Sequence, residues 1–289
     1  MREMKGIFTA LLTPFKEDYT INEVSLKKLV EFNLEKGVNG FYVGGSTGEG
    51  MVMSTEERKE VFRIVKEAAG DKVPMIAHCG AISTDSAIDM AKTAESLGYD
   101  AVSAVAPFYY NFPAQAIKQY YTDIVSSVEI PMVVYNFPGG NGFTFTADYA
   151  AQMFEDKRFV GIKHTSADLF MLQQFKQKIE NVTVFNGFDE MCIGGLAMGA
   201  DGAIGSTYNF MADKFLKIYD EFHNGSMAKA QEIQNEANVI ITEMIKYGVF
   251  QSEKAVLTHL GIDMGPCRKP FLPISKEGFD AMKKVAESL

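Results

Sequence analysis

The sequence predicts an α/β protein, a (β/α)8 TIM barrel with a C-terminal three-helix extension, in which residues 1–225 form the barrel and residues 226–289 the extension packed on it. Three observations predict this. Eight short apolar runs alternate with longer stretches of helical period, as strands buried on both faces do when helices cover them. Three of those runs are entered through the same kind of turn. After the eighth run the chain stays helical for longer than one barrel-closing helix needs.

The runs occupy residues 7–12, 40–43, 74–78, 101–104, 131–136, 159–163, 182–186 and 202–205. The shared turn reads Gly37-Val38-Asn39-Gly40, Gly98-Tyr99-Asp100-Ala101 and Gly199-Ala200-Asp201-Gly202. Glycine there suits the left-handed residue that ends a helix, and Asn or Asp suits the turn into a strand. The turns lie about two and four βα units apart, at ~25–30 residues per unit, so they mark the entries to strands 2, 4 and 8. Helix starts are legible at Ser54-Thr55-Glu56-Glu57, a capping box ahead of Val61, Phe62 and Val65, and at Thr146-Ala147-Asp148. A doubly wound open sheet is the rival arrangement, but it more often carries a glycine-rich phosphate loop after strand 1, where this chain has Leu12-Thr13-Pro14-Phe15. Helical segments then start at Ala212 and run over residues 227–247, 252–260 and 276–289, and no Pro/Ser-rich linker sets them apart as an independent domain.

With 47% hydrophobic residues, the 289-residue chain can bury a large core. Its net charge of −9 leaves no basic footprint for nucleic acid or an anionic membrane, so an anionic substrate must be held by local donors. Cys79, Cys192 and Cys267 are far apart, fall in no metal-ligand spacing, and read as buried thiols of a reducing compartment. The charged start leads into an apolar stretch too brief for a secretory signal, and no run approaches the ~18 apolar residues of a membrane helix. The expected location is the cytoplasm.

In a barrel, chemistry sits at the carboxyl ends of the strands, which turns the strand list into a list of candidates. Lys163 is the sharpest, because Phe159-Val160-Gly161-Ile162 drives a lysine into the end of a buried strand. Burial makes lysine a nucleophile toward carbonyls; the other reading is a side chain that snorkels to the rim, and the neighbours decide between them. Ser46 and Thr47, in the glycine-rich run Gly44-Gly45-Ser46-Thr47-Gly48-Glu49, offer hydroxyls and approachable amides to a carboxylate. Tyr135 ends strand 5 beside Lys163 and can relay a proton, where a strand-end tyrosine alone is more often structural. Asp189 and Glu190 follow strand 7, and with no histidine spaced to complete a metal sphere they suit acceptors for sugar hydroxyls. His164 alternates in direction with Lys163 and is expected to pack away from the barrel axis.

Five blocks in order, Gly44-Gly45-Ser46-Thr47-Gly48-Glu49, Val133-Val134-Tyr135-Asn136, Gly161-Ile162-Lys163-His164-Thr165-Ser166, Asn186-Gly187-Phe188-Asp189-Glu190 and Gly205-Ser206-Thr207-Tyr208-Asn209, closely resemble the dihydrodipicolinate synthase and N-acetylneuraminate lyase superfamily on its lyase branch. The likeness runs from Gly6 to about Phe271. It implies a homotetramer in which Lys163 forms the imine and Tyr135 shuttles the proton. It also implies that Ser46 and Thr47 hold the keto-acid carboxylate, that Tyr109 reaches a neighbouring subunit's site, and that Thr165, Gly187, Asp189, Glu190 and Ser206 line the sugar tail. The synthase branch is expected to carry a Thr-Thr pair and an arginine after its Tyr-Asn-x-Pro motif. This chain has Ser46-Thr47, and Phe137-Pro138-Gly139-Gly140-Asn141-Gly142 contains no arginine. The lyases more often show glutamine at the position of His164.

The implied reaction is the reversible cleavage of N-acetylneuraminate, a sialic acid, to N-acetylmannosamine and pyruvate through an imine, which calls for no metal or organic cofactor. The alternatives are a 2-keto-3-deoxy sugar-acid aldolase on the same barrel and a non-catalytic sugar-acid binding protein, which would be expected to have lost Lys163 or Tyr135.

Overall fold

The computed structural model describes residues 2–289. Its strands are β1 (Gly6–Ala10), β2 (Gly40–Val43), β3 (Met75–His78), β4 (Ala101–Val105), β5 (Met132–Asn136), β6 (Phe159–His164), β7 (Thr183–Asn186) and β8 (Gly202–Gly205). All pair in parallel, each with the next and β8 with β1, which closes the barrel. The helices are α1 (Glu23–Lys36), α2 (Thr55–Ala69), α3 (Thr84–Ser96), α4 (Ala114–Val125), α5 (Pro138–Asn141), α6 (Ala147–Met153), α7 (Leu169–Lys178), α8 (Cys192–Ala197), α9 (Tyr208–His223), α10 (Met227–Ile245), α11 (Val249–His259) and α12 (Lys276–Glu287). Among the described residues no helix is long and apolar enough to cross a membrane.

The three repeated turns do the same physical job. Gly37, Gly98 and Gly199 have φ of 85°, 78° and 95°, the left-handed conformation that costs glycine least. The acceptor two residues later then receives a strand N–H: Asn39 from Ile7 at 2.7 Å, Asp100 from Met75 at 2.9 Å, Asp201 from Val184 at 2.8 Å. Each side chain thus fastens its own strand entry to the preceding strand, at the end of the barrel opposite the carboxyl ends.

Alternation sorts the strand residues into two cores. Phe8, Tyr42, Ile76, Val105, Val133, Tyr135, Phe185 and Ile204 pack inside the barrel, while their neighbours in sequence pack under the helices. The inner space is filled unevenly. Phe8 and Phe185 meet edge to face at 5.1 Å, and Gly40 makes room, since a Cβ there would lie 2.1 Å from the Phe8 ring. Strand β6 carries an irregularity: Met132 faces Phe159 but Val133 faces Gly161, so Val160 is the extra residue. Beyond it Tyr135 stands opposite Lys163 and Asn136 opposite His164. Unbroken pairing from Met132 and Phe159 would instead set Lys163 opposite Asn136 and turn it out of the barrel.

The Ser54 capping box is present in full, with Ser54 Oγ accepting from the Glu57 N–H and the Glu57 carboxylate from the Ser54 N–H, and Thr146 caps α6. Two helix starts differ from the sequence expectation by three residues or more. Helix α9 starts at Tyr208, four residues before Ala212, with a non-helical Met211 setting off its first turn. The reason is tertiary: Asp189 Oδ2 accepts the Thr207 N–H at 2.8 Å and its hydroxyl at 2.7 Å, supplying from the segment after β7 the cap that the local sequence lacks. Helix α11 begins at Val249, not Ser252, directly after Gly248 at φ 91°.

Candidate active site

Lys163 closes β6 inside the barrel and is 5% exposed, yet no carboxylate pairs with it among the described residues. Its Nζ lies 4.5 Å from the centroid of the Tyr42 ring and 4.4 Å from that of Tyr135. The snorkelling alternative therefore does not hold for this lysine. His78 completes an aromatic floor, its ring 5.8 Å from Tyr42 and 5.9 Å from Tyr135, and Phe137 stacks on Tyr135 at 5.6 Å. Tyr42 Oη and Ser103 Oγ are hydrogen-bonded at 3.0 Å, and burial pushes the Tyr42 phenol well above its ordinary range, so it stays neutral. The imidazole of His78 is also neutral: burial, then the charges of Arg58 and Lys163, hold its pKa well below the usual value.

The loop after β2 presents donors. Gly44 adopts φ 73°, and a Cβ there would lie 2.7 Å from the Phe62 ring. The carbonyls are satisfied from within the protein: Gly45 O by the Gly50 N–H at 3.0 Å, Ser46 O by the Glu49 N–H at 3.0 Å, Gly48 O by the Thr13 hydroxyl at 2.8 Å. Among the described residues no acceptor takes the N–H groups of Gly45, Ser46, Thr47 or Gly48, or the hydroxyls of Ser46 and Thr47. Such a run of unused donors is an anion-binding concavity. The loop is pinned by buried Glu49, whose carboxylate meets Lys254 Nζ at 2.5 Å and accepts the Arg268 N–H at 2.6 Å. Arg268 in turn pairs with Glu57, whose carboxyl it holds down to about pKa 2.

Sites β6 to β8 form the other half of the mouth. The Thr165 hydroxyl is buried and makes no hydrogen bond, and a Cβ on Gly187 would fall 1.9 Å from it, so only glycine leaves it uncovered. Asp189 and Glu190, alike in the sequence reading, differ here. Asp189 is buried; burial raises its pKa to about 6, the Thr207 hydrogen bonds and Lys163 opposing, and only Oδ1 is left uncommitted. Glu190 is exposed at the rim. Both are held by the extension: Gln234 of α10 donates to Asp189 O at 3.1 Å and Asn238 to Glu190 O at 3.1 Å. Ser206 lies half-buried between β8 and α9. Tyr109 is 84% exposed at φ 81°, its ring against Tyr110 at 4.9 Å, and takes no part in the interior cluster. His164 packs outward, Nδ1 2.9 Å from Asn136 Nδ2 and Nε2 2.9 Å from Asp168 O.

Several residues escaped the sequence reading. Tyr42 was legible from strand parity, being two residues after Gly40 in β2. Arg58 was hidden in Glu56-Glu57-Arg58-Lys59, which looks like a solvated helix face. Glu253, fully buried on α11 beside Ser206 and Asp189, has both carboxyl oxygens without a partner and a pKa raised by burial to about 8. Among the described residues no three His, Cys, Asp or Glu side chains converge closely enough to hold a metal ion. The three cysteines are free and buried, burial pushing each thiol to about pKa 12.

A closed parallel barrel whose polar side chains gather at the carboxyl ends of its strands is the architecture of a (β/α)8 barrel enzyme. A family model described as the dihydrodipicolinate synthetase family matches residues 3–289, and the chain belongs to that family. An N-acetylneuraminate lyase of Salmonella typhimurium is 41% identical over 290 residues, covering 100% of this chain and 98% of that one. A structure from Clostridium difficile, described as CdNal in complex with mannosamine, superposes with a TM-score of 0.97 at 36% identity, covering 99% of each chain. A dihydrodipicolinate synthase from Bacillus anthracis superposes almost as well, TM-score 0.95 at 27% identity over 100% of this chain and 99% of that one. Both branches share the barrel, so the fold alone does not separate them; the side chains at the mouth must.

Proposed function

We propose that this chain is an imine-forming aldolase that cleaves N-acetylneuraminate reversibly to N-acetylmannosamine and pyruvate, with Lys163 as nucleophile. The observation that carries the reading is Lys163 itself: a lysine withdrawn from water at the strand end, with Tyr135 abreast of it and an unused donor loop on β2. The lyase names of the relatives support the sialic acid as substrate.

The Lys163 amine attacks C2 of the open-chain sugar acid, water leaves, and the protonated imine withdraws electrons as the C3–C4 bond breaks. Tyr135 takes the C4 hydroxyl proton, with the substrate carboxylate and Ser46 completing the relay, since a lone phenol is a poor base at neutral pH. N-acetylmannosamine departs, the enamine carbon is reprotonated, and water hydrolyses the imine to free pyruvate and the amine. Ser46 and Thr47 hold the carboxylate; Thr165, Gly187, Asp189, Glu190 and Ser206 receive the polyhydroxylated tail. The extension, residues 226–289, serves this site by fixing the β2 and β7 loops.

The reading extends to a cytoplasmic homotetramer. Free buried thiols suit a reducing compartment, and exposed Tyr109 with Tyr110 at 63% suits contact with a second subunit. Borohydride reduction in the presence of pyruvate tests the chemistry: one adduct per chain, mapped to Lys163 by mass spectrometry and lost in Lys163→Ala. A label on another lysine, or none, refutes it.

A further inference from the structure

Arg58, on α2, is 3% exposed, and both terminal nitrogens of its guanidinium bond the ends of β2 and β3. Nη1 donates to Gly80 O at 2.9 Å; Nη2 donates to His78 O at 2.5 Å and Gly44 O at 3.4 Å and lies 3.1 Å from His78 Nδ1. The Val105 N–H points at His78 Nε2, 3.1 Å away, and the neutral ring carries no negative charge to answer the guanidinium. Nε has no partner, and the ionisable groups that act on Arg58 are Cys79, Tyr120 and Tyr42, with no Asp or Glu among them. A buried guanidinium remains charged, and leaving it without a counter-ion is costly.

The same Gly44 carbonyl opens the loop whose next four amides are unused. We propose that Arg58 is a positioning residue for the keto acid: it orients the Gly44-Gly45-Ser46-Thr47 loop through the Gly44 carbonyl, and its unmatched charge is answered by the substrate carboxylate bound on the loop amides. This rests on the proposed function and deepens it, because it places the counter-charge of the carboxylate on β2–β3 instead of in the loop after β5, which holds no arginine. A plain strut between strand ends would be indifferent to the charge of the ligand. A counter-charge is not.

The test compares borohydride-trapped imine formation with pyruvate and with methyl pyruvate, the neutral ester, in wild-type chain, Arg58→Gln and Arg58→Lys. In Arg58→Gln the concentration of pyruvate needed for half-maximal trapping is expected to rise about ten- to hundredfold, with methyl pyruvate changing less than about threefold. Arg58→Lys should keep most of the preference for the acid. Equal losses with both probes, or an intact preference in Arg58→Gln, would overturn the role of Arg58. If Arg58→Gln does not fold, Arg58→Lys decides: a lysine variant that binds ester and acid alike overturns it. A wild-type chain that traps neither probe speaks against the reading of Lys163 instead.

Discussion

The Lys254 ammonium stands 2.5 Å from the Glu49 carboxylate, and the two side chains are 3% and 0% exposed. An α11 side chain of the extension is thereby locked to the barrel loop that carries Ser46 and Thr47, across most of the chain's length. Removing one partner of a buried pair leaves the other charge uncompensated, so Lys254→Met is expected to cost about 3–5 kcal/mol in urea unfolding. The double variant Lys254→Met with Glu49→Gln should recover a good part of that. A single variant within about 1 kcal/mol of wild type would mean that the pair does not hold the loop.

Tyr135 lies beside Lys163 without hydrogen-bonding to it, so proton transfer and imine formation are separable. Tyr135→Phe keeps the ring that packs on Phe137 and Lys163 and removes only the hydroxyl. Trapping with pyruvate is expected to persist, while sugar cleavage slows by ~10²–10⁴-fold. Cleavage at the wild-type rate would take Tyr135 out of the mechanism.

Glu190 is at the rim, where a nine-carbon substrate held at Lys163 would present its far end. Because the carboxylate is exposed, its hydrogen bonds to the tail contribute at the weak end of the charge-assisted range, and Glu190→Gln should lower kcat/KM for N-acetylneuraminate about tenfold. Pyruvate trapping should not change. Equal losses in both assays would show that Glu190 shapes the site and does not read the tail.

Glu253 makes stability depend on pH. Its folded pKa of about 8 stands above the ordinary 4.5, so the folded chain holds a proton that the unfolded chain has released. Stability from this group is complete below pH 4.5 and is lost as pH rises toward 8 and beyond. Asp189, raised to about 6, acts in the same sense at lower pH, while His78 and His164, both held below the ordinary 6.5 chiefly by burial, act in the opposite sense as the unfolded imidazoles lose their protons. Between pH 6 and pH 8 the unfolding free energy of wild type should fall by about 2 kcal/mol relative to that of Glu253→Gln, in which the histidines titrate alike. A slope unchanged by the substitution would assign it to another group.

Much of this was legible in the linear chain because its causes are local or periodic. Runs buried on both faces, glycines at left-handed positions and the Ser54 capping box state their own geometry, and all eight strands stand within two residues of their apolar runs at either end. Lys163 was legible because an ionisable residue at the end of an apolar strand conflicts with its surroundings. What only the tertiary structure decided are relations whose partners lie far apart in sequence. The extra residue in β6 sets Lys163 abreast of Tyr135. Asp189 bonds the start of the helix that follows β8, which is why it differs from Glu190. Arg58 and Glu253 occupy helix positions that composition marks as solvated, and they are buried because Arg58 meets the ends of β2 and β3 and Glu253 meets Ser206 and Asp189. Burial of a polar group depends on which elements close over it, and no periodicity records that.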